Sequence, residues 1–421
     1  MKTQCVAENN YWLSNSPKTS LFVYFELEGA KFESEQKRIP LNISLVIDHS
    51  GSMGGEKLAY AKKAMDFVVN NLTQDDFLSV VEYDSTIDVV SASAKVTNKS
   101  NLKRLINQIQ ERGMTNLSGG MLEGYKQVGS TKVPNYVHRV LLLSDGLANE
   151  GVTEPIQLQK IAQERFRADG IALSTFGVGA DFNEVLMTNL SEYGGGNYYF
   201  IGKPDEIPAI FAQELSGLLS VVAQNAKLSV AFPEKHLKFV KAYGYPTSLE
   251  NNAVKVNFND VFSEEKKAIL LKFEVVKPFE TAIDLTVALD FDDVVTTFKH
   301  QTTTHKIHIL PTQDKEAFIT GINKAVIAQV ALFEANDMFE QAILKADARD
   351  FEGAKQIIAQ IKMYLETHFQ LVPPDDELKK QHEAILAYEQ KLEEMQNMPE
   401  MDYMMSQKMS RSSNYAMKRK K

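Results

Sequence analysis

The stretch Leu41–Ile47 (LNISLVI) is an almost continuous apolar run that stops at Asp48, and it constrains the fold more than any other feature of the chain. An apolar run of this kind, without polar alternation, reads as a strand buried on both faces, as in a parallel sheet. After it, Glu56–Leu72 places Leu58, Ala61, Met65, Val68 and Leu72 at helical spacing. A second fully apolar run, Val140–Leu143 (VLLL), leads into Ser144-Asp145-Gly146. The pattern predicts further strands at Phe77–Tyr83, Ile87–Val90, Ile171–Gly177 and Asn197–Ile201. Helices are expected at Lys99–Arg112, about Ser118–Val128, from Pro155 to about Ala168, and at Pro204–Leu219. Strands alternating with helices imply a parallel sheet covered on both faces, a doubly wound α/β domain.

In such sheets ligands bind beyond the carboxyl ends of the strands, where the strand order reverses. Asp48-His49-Ser50-Gly51-Ser52 follows the first apolar run directly, and Ser144-Asp145-Gly146 follows the second. Between them, Gly113-Met114-Thr115-Asn116-Leu117-Ser118 is a polar loop before a helix. Asp48, Ser50 and Ser52 alternate, so in a turn their side-chain oxygens converge, and Thr115 and Asp145 add oxygens from two other loops. Hard dications such as Mg²⁺ take oxygen ligands near octahedral geometry and keep several waters. Only Asp48 and Asp145 of these residues are anionic, so a dication held here stays electrophilic and prefers an outside carboxylate at its open position. That describes a receptor site rather than a closed structural one.

The DxSxS stretch from Asp48, the threonine in GMTNLSGG and the aspartate in LLLSDG resemble the metal-ion-dependent adhesion site of von Willebrand factor A (vWA) domains. The stretch ALSTFGVGADFNEVLMTNLSEYGGGNYYF is similar to the last strands of that family. The resemblance implies a Rossmann-like vWA fold over residues 41–220, without catalytic activity. It implies metal ligands, direct or through water, at Asp48, Ser50, Ser52, Thr115 and Asp145, with His49 at the variable position. The expected cofactor is Mg²⁺, with Mn²⁺ or Ca²⁺ as alternatives, and the expected partner is a protein presenting a carboxylate.

An enzymatic alternative is a metal-dependent phosphatase. Haloacid-dehalogenase-like phosphatases also place a nucleophilic aspartate after the first strand of a doubly wound sheet. Their acid/base aspartate stands two residues on, where this chain has Ser50, so the proton donor that step needs is missing. Gly194–Gly196 reads as a turn before a strand, not a phosphate loop, since it does not lead from a strand into a helix. His300, His305 and His308 do not match zinc-ligand spacing and read as solvent-facing strand positions.

Beyond Leu219 the chain alternates in short runs (KLSVAF, LKFVKAY, AVKVNFN, KKAILLKFEVV, TAIDLTVALDF and VVTTFKHQTTTHKIHIL), with Asn251-Asn252 as a hairpin turn. This reads as an antiparallel β-sandwich over 221–311. FNDVFSEEKKAILLKFEV resembles the sandwich that follows vWA domains in bacterial proteins related to inter-alpha-trypsin-inhibitor heavy chains. Ser20–Glu28 (SLFVYFELE) reads as a strand with no place in a sheet that starts at Leu41. It is expected to pair with strands of Ala226–Leu310, so that residues 1–40 contribute to the sandwich and the vWA domain is inserted in it.

From Gln313 the composition turns helical, at Phe318–Lys345, Asp350–His368 and Asp375–Met395, predicting a helical domain over 312–397. Leu378, Ile385 and Leu392, spaced by seven, with Tyr388 and Met395 at the intervening heptad position, form a seam that packs either within this bundle or on a partner. Residues 398–421 are methionine-rich and then basic, and read as a disordered solubilising end.

At 421 residues the chain is too long for one core, and its net charge of −9 argues against nucleic acid as partner of the main domains. The single cysteine, Cys5, cannot form an internal disulfide, which fits a reducing compartment. The N-terminus has no apolar stretch behind a basic start, and no apolar run reaches membrane-spanning length. A cytoplasmic protein without membrane contact is expected. Together these features predict a Mg²⁺-dependent scaffold or adaptor. The family resemblance also suggests a regulatory subunit working with a MoxR-type AAA+ ATPase or with a kinase–phosphatase pair. The chain has no GxxxxGK[ST] loop, so any ATPase activity would belong to that partner.

Overall fold

Three strands precede the Leu41 run: β1 (Lys2–Ala7), β2 (Tyr11–Leu13) and β3 (Ser20–Glu28). The computed structural model describes residues 1–14, 19–33 and 38–419. The chain divides into one unit formed by Met1–Lys31, Ala223–Asp293 and Phe298–Lys421, and another formed by Phe32–Val222 with Val294–Thr297.

The second unit contains β4 (Leu41–Asp48), α1 (Glu56–Asn71), β5 (Phe77–Tyr83), β6 (Ile87–Lys95), α2 (Lys99–Asn107), α3 (Leu117–Ser130) and β7 (Val137–Ser144). It continues with α4 (Pro155–Asp169), β8 (Ala172–Val178), α5 (Glu184–Tyr193), β9 (Gly195–Ile201) and α6 (Ile207–Leu219). The sheet order is β6-β5-β4-β7-β8-β9. Every residue of β4 is buried, and β5 and β7 flank it in parallel. The order reverses at β4, so the carboxyl ends of β4 and β7 border the crevice that such a switch point opens. Helix α3 packs close over β4 and β7, because a Cβ on Gly124 would meet Val46 at 2.5 Å and Val140 at 3.0 Å.

Two features depart from the expected pattern. The sheet is not wholly parallel, because β6 runs antiparallel to β5 with Tyr83 opposite Ile87. The connection between them, residues 84–86, is far too short for the crossover that a parallel neighbour needs. Helix α2 ends at Asn107 rather than Arg112. The residues beyond it are drawn to the first loop instead: Arg112 N–H donates to the His49 carbonyl at 2.8 Å, and His49 Nδ1 donates to the Gln110 carbonyl at 2.7 Å.

The first unit resumes with β10 (Val221–Ala231), β11 (Leu237–Tyr243), β12 (Thr247–Glu250), β13 (Ala253–Phe262), β14 (Lys266–Val275), β15 (Ile283–Asp293) and β16 (His300–Thr312). One sheet has the order β1-β3-β14-β11 and the other β12-β13-β10-β15-β16-β2. Strand β3 is central in its sheet, antiparallel to β1 on one side and to β14 on the other, with Leu21 opposite Phe273. A stacked ring pair, Phe25 on β3 and Phe258 on β13 with centroids 6.0 Å apart, joins residues of the two sheets. Asn251 and Asn252 take φ of 48° and 59° between β12 and β13, the left-handed pair that a two-residue hairpin needs. Short β2 had no signal of its own; it pairs in parallel with the end of β16.

The helices are α7 (Lys315–Thr320), α8 (Lys324–Asp347), α9 (Phe351–Leu371), α10 (Asp376–Met395) and α11 (Glu400–Lys418). The helix expected from Phe318 is two, because Asn323 caps α8 by accepting from Val326 N–H at 3.2 Å. Leu378, Ile385, Tyr388, Leu392 and Met395 are all buried in one core with Phe339, Ile358 and Leu365, so this seam packs within the bundle.

The expectation of a disordered end is overturned. Helix α11 buries Tyr403, Gln407, Asn414 and Tyr415. Tyr403 donates its hydroxyl to the Ala346 carbonyl at 2.5 Å, Tyr388 donates to Gln407 at 2.7 Å, and Arg411 pairs with Glu340 at 3.2 Å and with Asp347. Its buried face is mostly polar and is held by these partners, so no apolar periodicity announces it. Lys420 and Lys421 lie outside the described residues. Among the described residues, no helix is long and apolar enough to cross a membrane.

Candidate metal centre

Asp48 is the last residue of β4 and Ser144 the last of β7, and Ile47 pairs with Leu143 just before them. That register brings the first and third candidate loops together. Asp48 is fully buried; its Oδ1 accepts from Ser50 N–H at 2.9 Å and its Oδ2 from the Ser144 hydroxyl at 2.8 Å. Burial pushes the Asp48 carboxyl above its usual range, with the neighbouring Asp145 charge adding to it, while the bonds from Ser50 and Ser144 pull it back.

Asp145 is fully buried as well. Its Oδ1 accepts from the Ser52 hydroxyl at 2.7 Å, and its Oδ2 takes the Lys57 ammonium at 2.5 Å. The Ser50 and Ser52 hydroxyls lie 3.2 Å apart, which closes a chain of contacts from Ser50 to Asp145.

The third strand end supplies support. Asp84, just past β5, holds the Thr115 loop. Its carbonyl accepts from Asn116 N–H at 2.8 Å and its carboxylate from Arg112 Nε at 3.1 Å. Burial works to raise the Asp84 carboxyl, but bonds from Thr86 and the charges of His49 and Arg112 hold it below the usual range. Gly51 N–H donates to the Gly113 carbonyl at 3.2 Å, tying the Thr115 loop to the Asp48 loop. Thr115 is buried, and its N–H donates to Asn149 Oδ1 at 3.0 Å. A Cβ on Gly146 would stand 3.1 Å from Thr115 Oγ1 and 3.9 Å from Ser52 Oγ, so the missing side chain leaves room between two candidate hydroxyls.

The structure therefore links Asp48, Ser50, Ser52 and Asp145 through contacts shared with Ser144 and Lys57, and sets Thr115 beside Ser52 across Gly146. Two buried carboxylates and three hydroxyls suit a hard cation that keeps waters and does not suit zinc. Among the described residues, no group of three or more His, Cys, Asp or Glu side chains is placed to hold a metal ion. His300 and His308 are exposed on β16, bonded to Asp292 at 2.9 Å and Asp284 at 2.7 Å. Burial pushes the Cys5 thiol up to about 12, which disfavours its thiolate.

Sequence reasoning left two residues of this site unassigned. Ser144 stood inside the SDG segment, adjacent to a candidate ligand, and that adjacency was its only signal. Lys57 had no signal, since it reads as an ordinary first-turn residue of an amphipathic helix.

The doubly wound sheet with aspartate loops at its switch point is the architecture of a known domain family. Residues 42–213 match the model of the von Willebrand factor type A domain, so the chain carries a vWA domain. It is 27% identical over 238 residues to the protein YfbK of Escherichia coli (strain K12), covering 56% of this chain and 41% of that one. It is 28% identical over 249 residues to inter-alpha-trypsin inhibitor heavy chain H2 of Homo sapiens, covering 57% of this chain and 24% of that one. The matched segment thus spans less than half the length of either relative. The fold is similar to that of a von Willebrand factor type A protein from Catenulispora acidiphila, at a TM-score of 0.72 and 16% identity over 90% of this chain and 88% of that one. It is also similar to the ArnB paralog VWA2 from Sulfolobus acidocaldarius, at 0.65 and 18% over 100% and 98%.

Proposed function

We propose that the protein is a scaffold or adaptor whose vWA domain grips an acidic side chain of a protein partner through one divalent cation. Asp48, Ser50, Ser52, Thr115 and Asp145 would hold the cation, Mg²⁺ with Mn²⁺ or Ca²⁺ as alternatives. The bound ion supplies an electrophilic position open to an outside oxygen. The observation that carries this reading is the convergence at the switch point of three loops that bring together two fully buried carboxylates, Asp48 and Asp145. Exposed Met114 and Leu147 stand next in sequence to Thr115 and Gly146, an apolar rim suited to a protein surface. Ser50, two residues after Asp48, offers no second carboxylate for acid/base work, which favours binding over catalysis.

For the domain organisation, we read the two sheets, antiparallel except for the β16–β2 edge, as the faces of one sandwich built from 1–40 and 221–311. The vWA domain, 41–220, is inserted between these segments. The helical domain starts at 312 and takes in α11 beyond 397. The support is β3, which sits between β1 and β14 in the same sheet. A pull-down with Mg²⁺ or with chelator, for wild type and Asp48→Ala, tests the function. Proteins retained only by wild type with Mg²⁺ support it, and identical captures under all conditions contradict it.

A further inference from the structure

The two carboxylates of the candidate centre are not held alike. Among the described residues Asp48 accepts from neutral donors, the Ser50 N–H and side chain and the Ser144 hydroxyl. Asp145 accepts from the Ser52 hydroxyl at Oδ1 and from the Lys57 ammonium, 2.5 Å away, at Oδ2. The Lys57 side chain is 25% exposed while that of Asp145 is fully buried, so the pair reaches from solvent into the crevice.

Lys57 arrives there by construction. It is the second residue of α1, and the end of its side chain lies over Gly179, just past β8. A Cβ on Gly179 would stand 3.8 Å from Lys57 Cε and from Nζ, and φ there is +76°, a conformation glycine adopts without strain. Lys57, on the helix that follows β4, thus brings its ammonium to the loop after β7 and the end of its side chain beside the loop after β8.

We propose that Lys57 is a tethered counter-ion of the metal centre: it holds Asp145 through Oδ2, competes with the dication for that carboxylate, and leaves the loaded site positive. This rests on the metal-binding reading above. Asp48, Asp145 and Lys57 together carry one formal negative charge, which a dication converts to one positive charge. Without Lys57 the two carboxylates would balance the formal charge of the dication, and its open position would attract an anionic partner less strongly. The lysine therefore trades metal affinity for affinity toward a carboxylate.

The test uses the full chain and two probes, Mn²⁺ followed by electron paramagnetic resonance of the free ion, and acetate titrated into Mn²⁺-loaded protein followed by water-proton relaxation. Removing a positive charge this close to a dication is expected to tighten Mn²⁺ binding by about tenfold or more in Lys57→Met and to weaken acetate binding. Lys57→Gln, a second uncharged variant, should behave like Lys57→Met and keeps the test sound if the methionine variant folds poorly. Lys57→Arg should stay near wild type. Wild type and both uncharged variants binding Mn²⁺ equally, or the variants binding it more weakly, would overturn the role of Lys57 while the metal centre stands. An arginine variant that behaves like the methionine one would do the same. No Mn²⁺ binding by any of the four proteins would overturn both readings.

Discussion

Ser144, at the end of β7, donates its hydroxyl to Oδ2 of Asp48, at the end of β4, 2.8 Å away. The bond crosses the two strands that flank the switch point and fixes the orientation of a carboxylate that burial alone would push toward its protonated form. Groups that orient a metal ligand in this way typically change affinity by about 10–100-fold when removed. Ser144→Ala is therefore expected to weaken Mg²⁺ binding by about tenfold without unfolding the domain, as read by calorimetry alongside a thermal melt. Unchanged affinity would show that Ser144 is not an orienting group.

Thr115 should separate metal binding from partner binding. Its loop is held by backbone bonds to Asp84, Gly51 and Asn149 that do not involve its hydroxyl, so Thr115→Ala keeps the loop in place. We expect Mn²⁺ affinity within about threefold of wild type and loss of metal-dependent partner capture, since hydroxyls contribute less than carboxylates to a hard cation. Equal losses in both assays would contradict this division.

Asp76 supports the base of the same domain. It is buried, and it accepts from Arg38 Nη1 at 2.9 Å, from Leu41 N–H at 2.8 Å and from Thr73 N–H at 2.6 Å. Burial raises its carboxyl, but these bonds and the Arg38 charge together hold it below its usual range. A carboxyl depressed in the folded state contributes stability that is present above its unfolded value, about 3.9, and is lost as pH falls through the folded value. Asp76→Asn should cost about 2–4 kcal/mol at neutral pH, and the gap to wild type should shrink below about pH 4. Denaturant melts at several pH values measure it, and a gap that does not change with pH would contradict the assignment.

The central place of β3 between β1 and β14 predicts unequal effects of truncation. A chain beginning at Pro40 lacks β1, β2 and β3, leaving the apolar β14, with Ile269, Leu270 and Leu271, without its neighbour. Such a chain should keep the melting transition of the vWA domain and lose that of the other unit. Two wild-type transitions would contradict the central place of β3.

Much of this was legible in the residues themselves, and the limits were physical. Leu41–Asp48 and Val140–Asp145 could be read because each is a local pattern, an apolar run closed by a polar turn. The Ser20–Glu28 strand was legible through its composition. The reversal of β6 was not, since its signal is only a short connection at Asp84–Thr86. Helix α11 was hidden because residues such as Gln407 and Asn414 bury polar groups against partners many residues away. The site divides in the same way. Asp48, Ser50 and Ser52 lie within five residues, whereas the Lys57–Asp145 pair is 88 apart in sequence and exists only in the fold.

The most direct test of the central claim is calorimetric titration of Mg²⁺ into wild type and Asp48→Ala. The account predicts saturable binding of one ion by wild type and none by the variant, with both proteins giving the same far-ultraviolet circular dichroism. Equal isotherms for the two proteins, or no binding by folded wild type, would contradict it.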